Sequence, residues 1–300
     1  MTPRIIQRPT QKNLWLAAIK PPMYSVAVMP IWVGSAMAHF TTGQLQWGVF
    51  GLFLISAILI VAWENLSNDV FDAETGVDVN KANSLVNLTG NKRLIFALAN
   101  VCLGAGLLGV AAIALWQRDF TVIGLILACC ALGYIYQGPP FRLSYQGLGE
   151  ILCFFAFGPL AFAAVYYSQT QTWSWANMAA ATVMGIATSL ILFCSHFNQV
   201  NDDAAVGKKS PVVRLGAKRS AQLLPWICGG VYALTTLFVL LQVLPVWTLL
   251  VFAGIPYAVK LCQLIQAQYE QPETLLYCRF IAVTFHFWTG LMLGVGLMVG

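Results

Sequence analysis

The chain has 300 residues, of which 59% are hydrophobic and only 9% are charged, and its mean hydropathy is +0.73. In soluble globular proteins about a quarter of the residues are charged, so this composition excludes a water-soluble domain and indicates an integral membrane protein. The formal net charge of +5 is less informative than its distribution along the chain, and no feature of the sequence indicates a nucleic-acid partner.

The apolar residues form stretches of about twenty, the length that an α-helix needs to cross the roughly 30 Å hydrocarbon layer. This length excludes a barrel of short alternating strands. Hydropathy, punctuated by glycine, proline and charged residues, predicts an all-α integral membrane fold of nine transmembrane helices. We place them at residues 22–40, 47–67, 94–116, 120–137, 148–167, 175–197, 221–241, 245–262 and 279–299.

These spans form one polytopic membrane domain over residues 1–300. Two acid-rich segments follow the second and sixth spans, four helices apart. This spacing predicts two related helical units, at about 22–137 and 148–262, and a ninth helix at 279–299.

Nine spans divide the basic residues very unevenly between the two membrane faces. Of the 16 lysine and arginine residues, all but Arg118 fall on the face that carries the N-terminus. The positive-inside rule assigns this face to the cytoplasm, or to the stroma of a plastid. The two longest connections, residues 68–93 and 198–220, lie on it. Long polar connections gathered on one face are where binding and catalytic residues are expected.

The first acid-rich segment, residues 64–78, begins inside the second span. A helix that continues to about Thr75 would bring two pairs of side chains onto one face, one turn apart: Asn65 with Asp69, and Asn68 with Asp72. Gly76 would then let the chain turn, so that Asp78 folds back toward them. This segment predicts a cluster of oxygen ligands, followed by Lys81. Glu64 has no assigned role at this point.

The second acid-rich segment, residues 198–203, ends the sixth span and pairs Asn198 with Asp202 and Gln199 with Asp203 in the same way. Basic residues follow it, namely Lys208, Lys209 and Arg214. Mg²⁺ prefers oxygen ligands and usually combines one or two protein carboxylates with water and substrate phosphate. Two such segments on one face therefore predict a two-sided site for a Mg²⁺-bound diphosphate. The alternative is that these acids are simply solvated residues at helix ends.

Three other patterns have open interpretations. Residues 134–150 link the fourth and fifth spans, and Arg142 within them could contact a phosphate; an interfacial tyrosine belt with one cytoplasmic arginine fits equally well. His196 precedes the second acid-rich segment and is a possible substrate contact. Residues 104–109 fit G-x-G-x-x-G but lie inside a predicted span, which favours helix packing through small residues over a dinucleotide loop.

Together these motifs resemble the UbiA superfamily of membrane aromatic prenyltransferases, and the resemblance covers nearly the whole chain. Within it, three segments are similar to the 1,4-dihydroxy-2-naphthoate prenyltransferases, above all to the cyanobacterial and plastid type that attaches phytyl: Asn68-Asp69-x-x-Asp72 with Asp78, the loop from Gly138 to Glu150, and His196 to Asp203 leading into Gly207–Gly216.

The resemblance implies a UbiA-type helical bundle and Mg²⁺-dependent transfer of a prenyl group, phytyl in this branch, from its diphosphate to 1,4-dihydroxy-2-naphthoate, with decarboxylation, in phylloquinone or menaquinone biosynthesis. The implied partners are an isoprenyl diphosphate, an aromatic acid and the lipid bilayer of a plasma or thylakoid membrane, with no obligate protein partner.

The resemblance also implies roles for individual residues. The catalytic residues are Asn68, Asp72 and Asp203. The Mg²⁺ ligands are Asn68, Asp69, Asp72, Asp78, Asp202 and Asp203. The diphosphate-binding residues are Lys81, Arg142, Lys208, Lys209 and Arg214. The candidates for contact with the aromatic substrate are Lys20, Tyr134, His196, Asn198 and Gln199.

Two departures from the superfamily pattern affect these assignments. Gly76 stands where the general pattern has an acid, and Gln199 stands where the second motif usually has its first acid. Other acceptors, homogentisate, 4-hydroxybenzoate or a chlorophyllide, are alternatives within the class. An ion-coupled secondary transporter is the alternative from a different class, although transporters place their ion sites near the bilayer midplane rather than at helix ends.

Overall fold

The structure is a computed structural model that describes residues 20–77 and 84–300. These residues form helices joined by turns, and they contain no strand. Nine long helical segments are present among them: α1 Ser25–Thr42, α2 Trp47–Thr75, α3 Lys92–Gln117, α4 Thr121–Gln137, α5 Gly149–Thr170, α6 Trp175–Ala205, α7 Ala217–Leu240, α8 Val246–Gln268 and α9 Cys278–Val299. Two short helices, Leu85–Thr89 and Pro211–Leu215, lie in the connections after α2 and α6.

The predicted all-α membrane architecture is confirmed. In the described part of the chain, eight helical segments are long and apolar enough to cross a membrane. The remaining one, α4, has only 17 residues. The predicted number of nine is therefore reached only when this shorter helix is included.

Helices α2 and α6 are much longer than the apolar stretches that predicted them. They have 29 and 31 residues and end at Thr75 and Ala205, eight residues after the predicted ends of the second and sixth spans. At 1.5 Å per residue each is more than about 40 Å long, which exceeds the hydrocarbon thickness. The acid-rich segments are therefore the last turns of two long helices, and α2 ends at Thr75, where the sequence analysis placed its end. Gly76 ends α2 in the left-handed conformation, with φ of 77°, as the sequence predicted.

The G-x-G-x-x-G segment of α3 packs against α2. A β-carbon on Gly106 would lie 2.8 Å from the Ile60 side chain and 3.0 Å from the backbone oxygen of Ser56. Only glycine allows this close approach of two helices. The helix-packing interpretation of residues 104–109 is therefore confirmed.

Helix α6 lies at the centre of the bundle and packs against α1, α5, α7 and α9. Its buried face is built largely of small and medium side chains, among them Ala180, Met184 and Ala187. Helix α2 packs against α1, α3 and α4. Residues from the acid-carrying ends of α2 and α6 line one space between the helices.

Candidate active site

A cavity of about 220 Å³ lies between the helices at this end of the bundle. We call it the central cavity. Its polar lining comes from both acid-rich helix ends, from the end of α4, from the start of α9, and from two lysines beside α1 and α6: Lys20, Glu64, Asn65, Asn68, Asp69, Asp72, Tyr136, Gln137, Ser195, His196, Gln199, Lys208 and Arg279. Its other walls are largely apolar and are formed by α1, α2, α4, α5 and α6. The central cavity thus has a polar part that is lined by acidic and basic side chains, and an apolar part.

Asp69 is buried in the wall of the central cavity, where protein groups engage both of its oxygens. Its Oδ1 lies 3.0 Å from Lys20 Nζ, and its Oδ2 accepts a hydrogen bond of 2.9 Å from the Leu85 backbone N–H. A buried ion pair that is also hydrogen bonded holds both partners in one geometry. Asp69 therefore positions Lys20 at the cavity and anchors the short helix Leu85–Thr89.

Asp72 lies one turn after Asn68 on the same cavity-lining face of α2. The side-chain amide of Gln137, at the end of α4, donates a hydrogen bond to Asp72 Oδ1. The Ser144 hydroxyl donates in turn to Gln137 Oε1 over 2.7 Å. These contacts orient the Asp72 carboxylate from the side of the α4–α5 loop, residues 138–148.

Tyr145, in the α4–α5 loop, contacts both acid-rich helix ends. Its hydroxyl donates to Thr75 Oγ1 at the end of α2, and its backbone oxygen accepts a 2.8 Å hydrogen bond from the Lys209 N–H after α6. Burial raises the pKa of the Tyr145 phenol, so the hydroxyl is protonated and able to donate at neutral pH. The loop therefore ties the two halves of the site together.

Asp203 is completely buried behind the cavity wall. Its Oδ2 lies 2.9 Å from His196 Nδ1, and its Oδ1 lies 3.1 Å from Lys208 Nζ. His196 Nε2 lies 3.3 Å from Glu150 Oε1 at the start of α5. His196 and Lys208 line the cavity, whereas Asp203 does not. The contacts show that Asp203 holds these two side chains in place.

Several predicted site residues lie away from the central cavity. Asp202, Lys209 and Arg214 are exposed. Arg142 forms an ion pair of 3.5 Å with Glu74, and the Tyr134 hydroxyl donates to the Pro139 backbone oxygen over 2.7 Å. The Asn198 amide donates to the Pro272 backbone oxygen over 2.9 Å. Asp78 and Lys81 lie outside the described residues.

The structure adds residues to which the sequence analysis gave no role in the site, above all Tyr136, Arg279, Ser195 and Glu64. Tyr136 was within reach of a sequence argument, because Gly133, Tyr136 and Gln137 follow the three- and four-residue spacing of one helix face. All three line the cavity, and Tyr134 does not. Arg279 is an isolated basic residue in the first turn of α9, and no local pattern relates it to the distant motifs.

The donor set of the cavity fits Mg²⁺. Asp72 provides a carboxylate, and Asn65 and Asn68 provide amide oxygens on the same face of α2. In residues 20–77 and 84–300, no group of three or more His, Cys, Asp or Glu side chains is arranged to hold a metal ion. One carboxylate with neutral oxygen donors suits a Mg²⁺ ion that completes its shell with water and substrate phosphates.

Comparison with known proteins identifies the family. The model of the UbiA prenyltransferase family matches residues 27–291. The chain belongs to the UbiA prenyltransferase family. Among its relatives in this family, the 2-carboxy-1,4-naphthoquinone phytyltransferase of Synechocystis is 53% identical over 96% of this chain and 94% of that protein. The chloroplastic 2-carboxy-1,4-naphthoquinone phytyltransferase of Arabidopsis thaliana is 38% identical over 97% of this chain and 78% of that protein.

Solved structures of the UbiA family share the fold. A UbiA homologue from Archaeoglobus fulgidus, bound to GPP and Mg²⁺, superposes with a TM-score of 0.63. The superposition covers 96% of this chain and 100% of that chain, at 16% sequence identity. At this identity the likeness shows a common helical architecture, in agreement with the fold that the motif resemblance implied.

Proposed function

We propose that the protein catalyses the Mg²⁺-dependent transfer of a phytyl group from phytyl diphosphate to 1,4-dihydroxy-2-naphthoate, with loss of CO₂, in phylloquinone biosynthesis. The central cavity carries this proposal, because one space is lined by both acid-rich helix ends and continues into apolar walls. The 53% identity to a 2-carboxy-1,4-naphthoquinone phytyltransferase supports a phytyl donor and an acceptor of this type, of which 1,4-dihydroxy-2-naphthoate is the reduced form.

The diphosphate would bind in the polar part of the cavity. Asn68 and Asp72 would hold Mg²⁺ there, and the bound ion would neutralise charge on the departing diphosphate. Lys208, positioned by Asp203, would contact the diphosphate oxygens directly. Charge-assisted contacts that strengthen as the C–O bond breaks lower the barrier to ionisation.

The apolar part of the cavity would hold the reacting end of the phytyl chain. Val61, Leu132, Ala156 and Phe157 line it and offer no group that attacks a carbocation. Excluding water protects the allylic cation from hydrolysis, and an aromatic face such as that of Tyr136 stabilises positive charge nearby. The chain thus provides both an exit site for diphosphate and a dry site for the cation.

The acceptor ring would supply the electron pair for the new bond. The ring carbon that bears the carboxylate attacks C1 of the phytyl chain as the C1–O bond to diphosphate breaks. The carboxylate leaves as CO₂ and its bonding electrons remain on the ring, so the overall reaction releases no proton. The positive-inside distribution supports a cavity that opens on the cytoplasmic or stromal side of a plasma or thylakoid membrane.

The proposed reaction can be tested with the full chain in lipid nanodiscs. With Mg²⁺ and phytyl diphosphate, we expect 1,4-dihydroxy-2-naphthoate to be prenylated with release of CO₂, and homogentisate and 4-hydroxybenzoate to react far more slowly. Product masses and labelled CO₂ provide the readout. Preferential prenylation of another acceptor would overturn the substrate assignment, and no prenylation of any acceptor would overturn the enzymatic function.

Lys208 and Lys209 form a matched pair for testing the diphosphate contact. Lys208 lines the cavity and contacts Asp203, whereas the neighbouring Lys209 is exposed. We expect Lys208→Ala to raise the KM for phytyl diphosphate about 10-fold or more, because a charge-assisted phosphate contact is lost. Lys209→Ala should leave this KM within about 2-fold of the wild type, as expected of an exposed charge. Equal effects of the two substitutions would contradict the assignment.

A further inference from the structure

Glu64 is a partly buried acid that lines the central cavity, and neither motif assigns it a role. It lies four residues before Asn68 on α2, so it faces the same space about 6 Å deeper along the helix axis. Its side chain reaches toward α4, where a β-carbon on Gly133 would lie 2.5 Å from Glu64 Oε1. The absence of a side chain at Gly133 therefore makes room for the carboxyl group.

The surroundings of Glu64 leave its hydrogen-bonding capacity unused. No hydrogen bond or ion pair joins its carboxyl group to any other residue within 20–77 and 84–300. Its neighbours on the cavity wall include Val61, Leu132, Cys153 and Ala156, none of which is charged. A carboxyl group in such an apolar site is costly, and this cost indicates a function that involves a ligand.

The depth of Glu64 matches the position of the second substrate. If the diphosphate binds beside Asn68 and Asp72, the atom C1 of its prenyl chain lies next to it, on the side toward the interior of the cavity. The attacking ring must lie next to C1, and this is the level of Glu64. The basic residues of the cavity lie at or beside helix ends: Lys20 precedes α1, Lys208 follows α6 and Arg279 is at the start of α9.

We propose that Glu64 binds the aromatic acceptor by accepting a hydrogen bond from the ring hydroxyl farther from the carboxylate. This inference rests on the proposed phytyl transfer and adds an acceptor-binding residue to it. The acceptor carboxylate would point toward the basic residues, because two carboxylates repel one another. This contact would hold the ring in one orientation, with its carboxylate-bearing carbon next to C1 of the phytyl chain. The hydroxyl keeps its hydrogen throughout.

Glu64→Gln tests this inference, since it replaces a charged acceptor with a weaker neutral one and retains the shape of the side chain. We expect kcat/KM for 1,4-dihydroxy-2-naphthoate to fall about 10-fold, because a hydrogen bond to a charged acceptor is worth roughly 1 kcal/mol or more beyond one to a neutral acceptor. The KM for phytyl diphosphate should stay within about 2-fold of the wild type. Glu270→Gln, the same change at an exposed position, is the matched control and should have no effect.

Methylated acceptors make the test specific. With the wild type, methylating the 4-hydroxyl removes the donor and should cost at least as much as Glu64→Gln does. The variant should lose less than the wild type with this analogue, because both changes act on one contact. Methylating the 1-hydroxyl should leave the effect of Glu64→Gln intact. Two results would overturn the inference. One is that the losses from Glu64→Gln and from 4-methylation multiply when they are combined, and the other is a normal kcat/KM of Glu64→Gln. In both cases phytyl transfer by the wild type would still support the proposed function. If the variant does not fold, full activity of the wild type on the 4-methoxy analogue would overturn it equally.

Discussion

Replacing Asp72 with asparagine is expected to lower phytyl transfer about 100- to 1,000-fold, the range for loss of a group that stabilises charge in the transition state. Asp72 is on the cavity face of α2, and the amide of Gln137 orients its carboxylate. Asparagine retains the size of the side chain but removes the charge that attracts Mg²⁺. Product formation measured against Mg²⁺ concentration should show that the variant needs more Mg²⁺ for half-maximal rate.

Asp202→Asn is the matched control for this substitution. The change is chemically identical, but Asp202 is exposed and lies away from the central cavity. We expect its turnover and its Mg²⁺ requirement to stay within about 2-fold of the wild type, as for most surface substitutions. Similar losses in both variants would contradict the assignment of the Mg²⁺ site to the cavity face of α2, as would near-normal turnover of Asp72→Asn.

Replacing Asp203 with asparagine is expected to be nearly as damaging for a different reason. Asp203 is fully buried, and its two oxygens hold His196 and Lys208 at the cavity wall. Removing one partner of a buried charged group leaves the other uncompensated, which typically costs about 3–5 kcal/mol. We expect a marked drop in the thermal unfolding temperature in nanodiscs, and a rise of about 10-fold or more in the KM for phytyl diphosphate.

The Mg²⁺ requirement distinguishes the two possible roles of Asp203. If Asp203 acts by positioning Lys208 and His196, the Mg²⁺ concentration for half-maximal rate should be the same in Asp203→Asn as in the wild type. A Mg²⁺ ligand would shift it, as we expect for Asp72. Residual activity should be assayed well below the unfolding temperature of the variant, so that loss of fold is not counted as loss of chemistry.

Some features of this protein depend only on local properties of its sequence. Hydropathy over about twenty residues predicts spanning helices because a helix must satisfy its own backbone hydrogen bonds in lipid. The four-residue spacing of Asn68 and Asp72 places both on one face of α2 because it equals about one helical turn. Both predictions agree with the structure. Helices α2 and α6 extend eight residues beyond the predicted spans, because polar turns can continue a helix after the hydrophobic signal ends.

Tertiary packing alone decided what each polar side chain of the site contacts. Lys20 pairs with Asp69 across 49 residues of sequence, and Gln137 contacts Asp72 across 65. Local spacing could not separate Lys208, which lines the cavity, from its exposed neighbour Lys209. A side chain's direction from its own backbone follows from sequence and helix geometry, but what it meets depends on how the helices pack together. In this protein the packing turns Asp72 toward the cavity and buries Asp203 behind it.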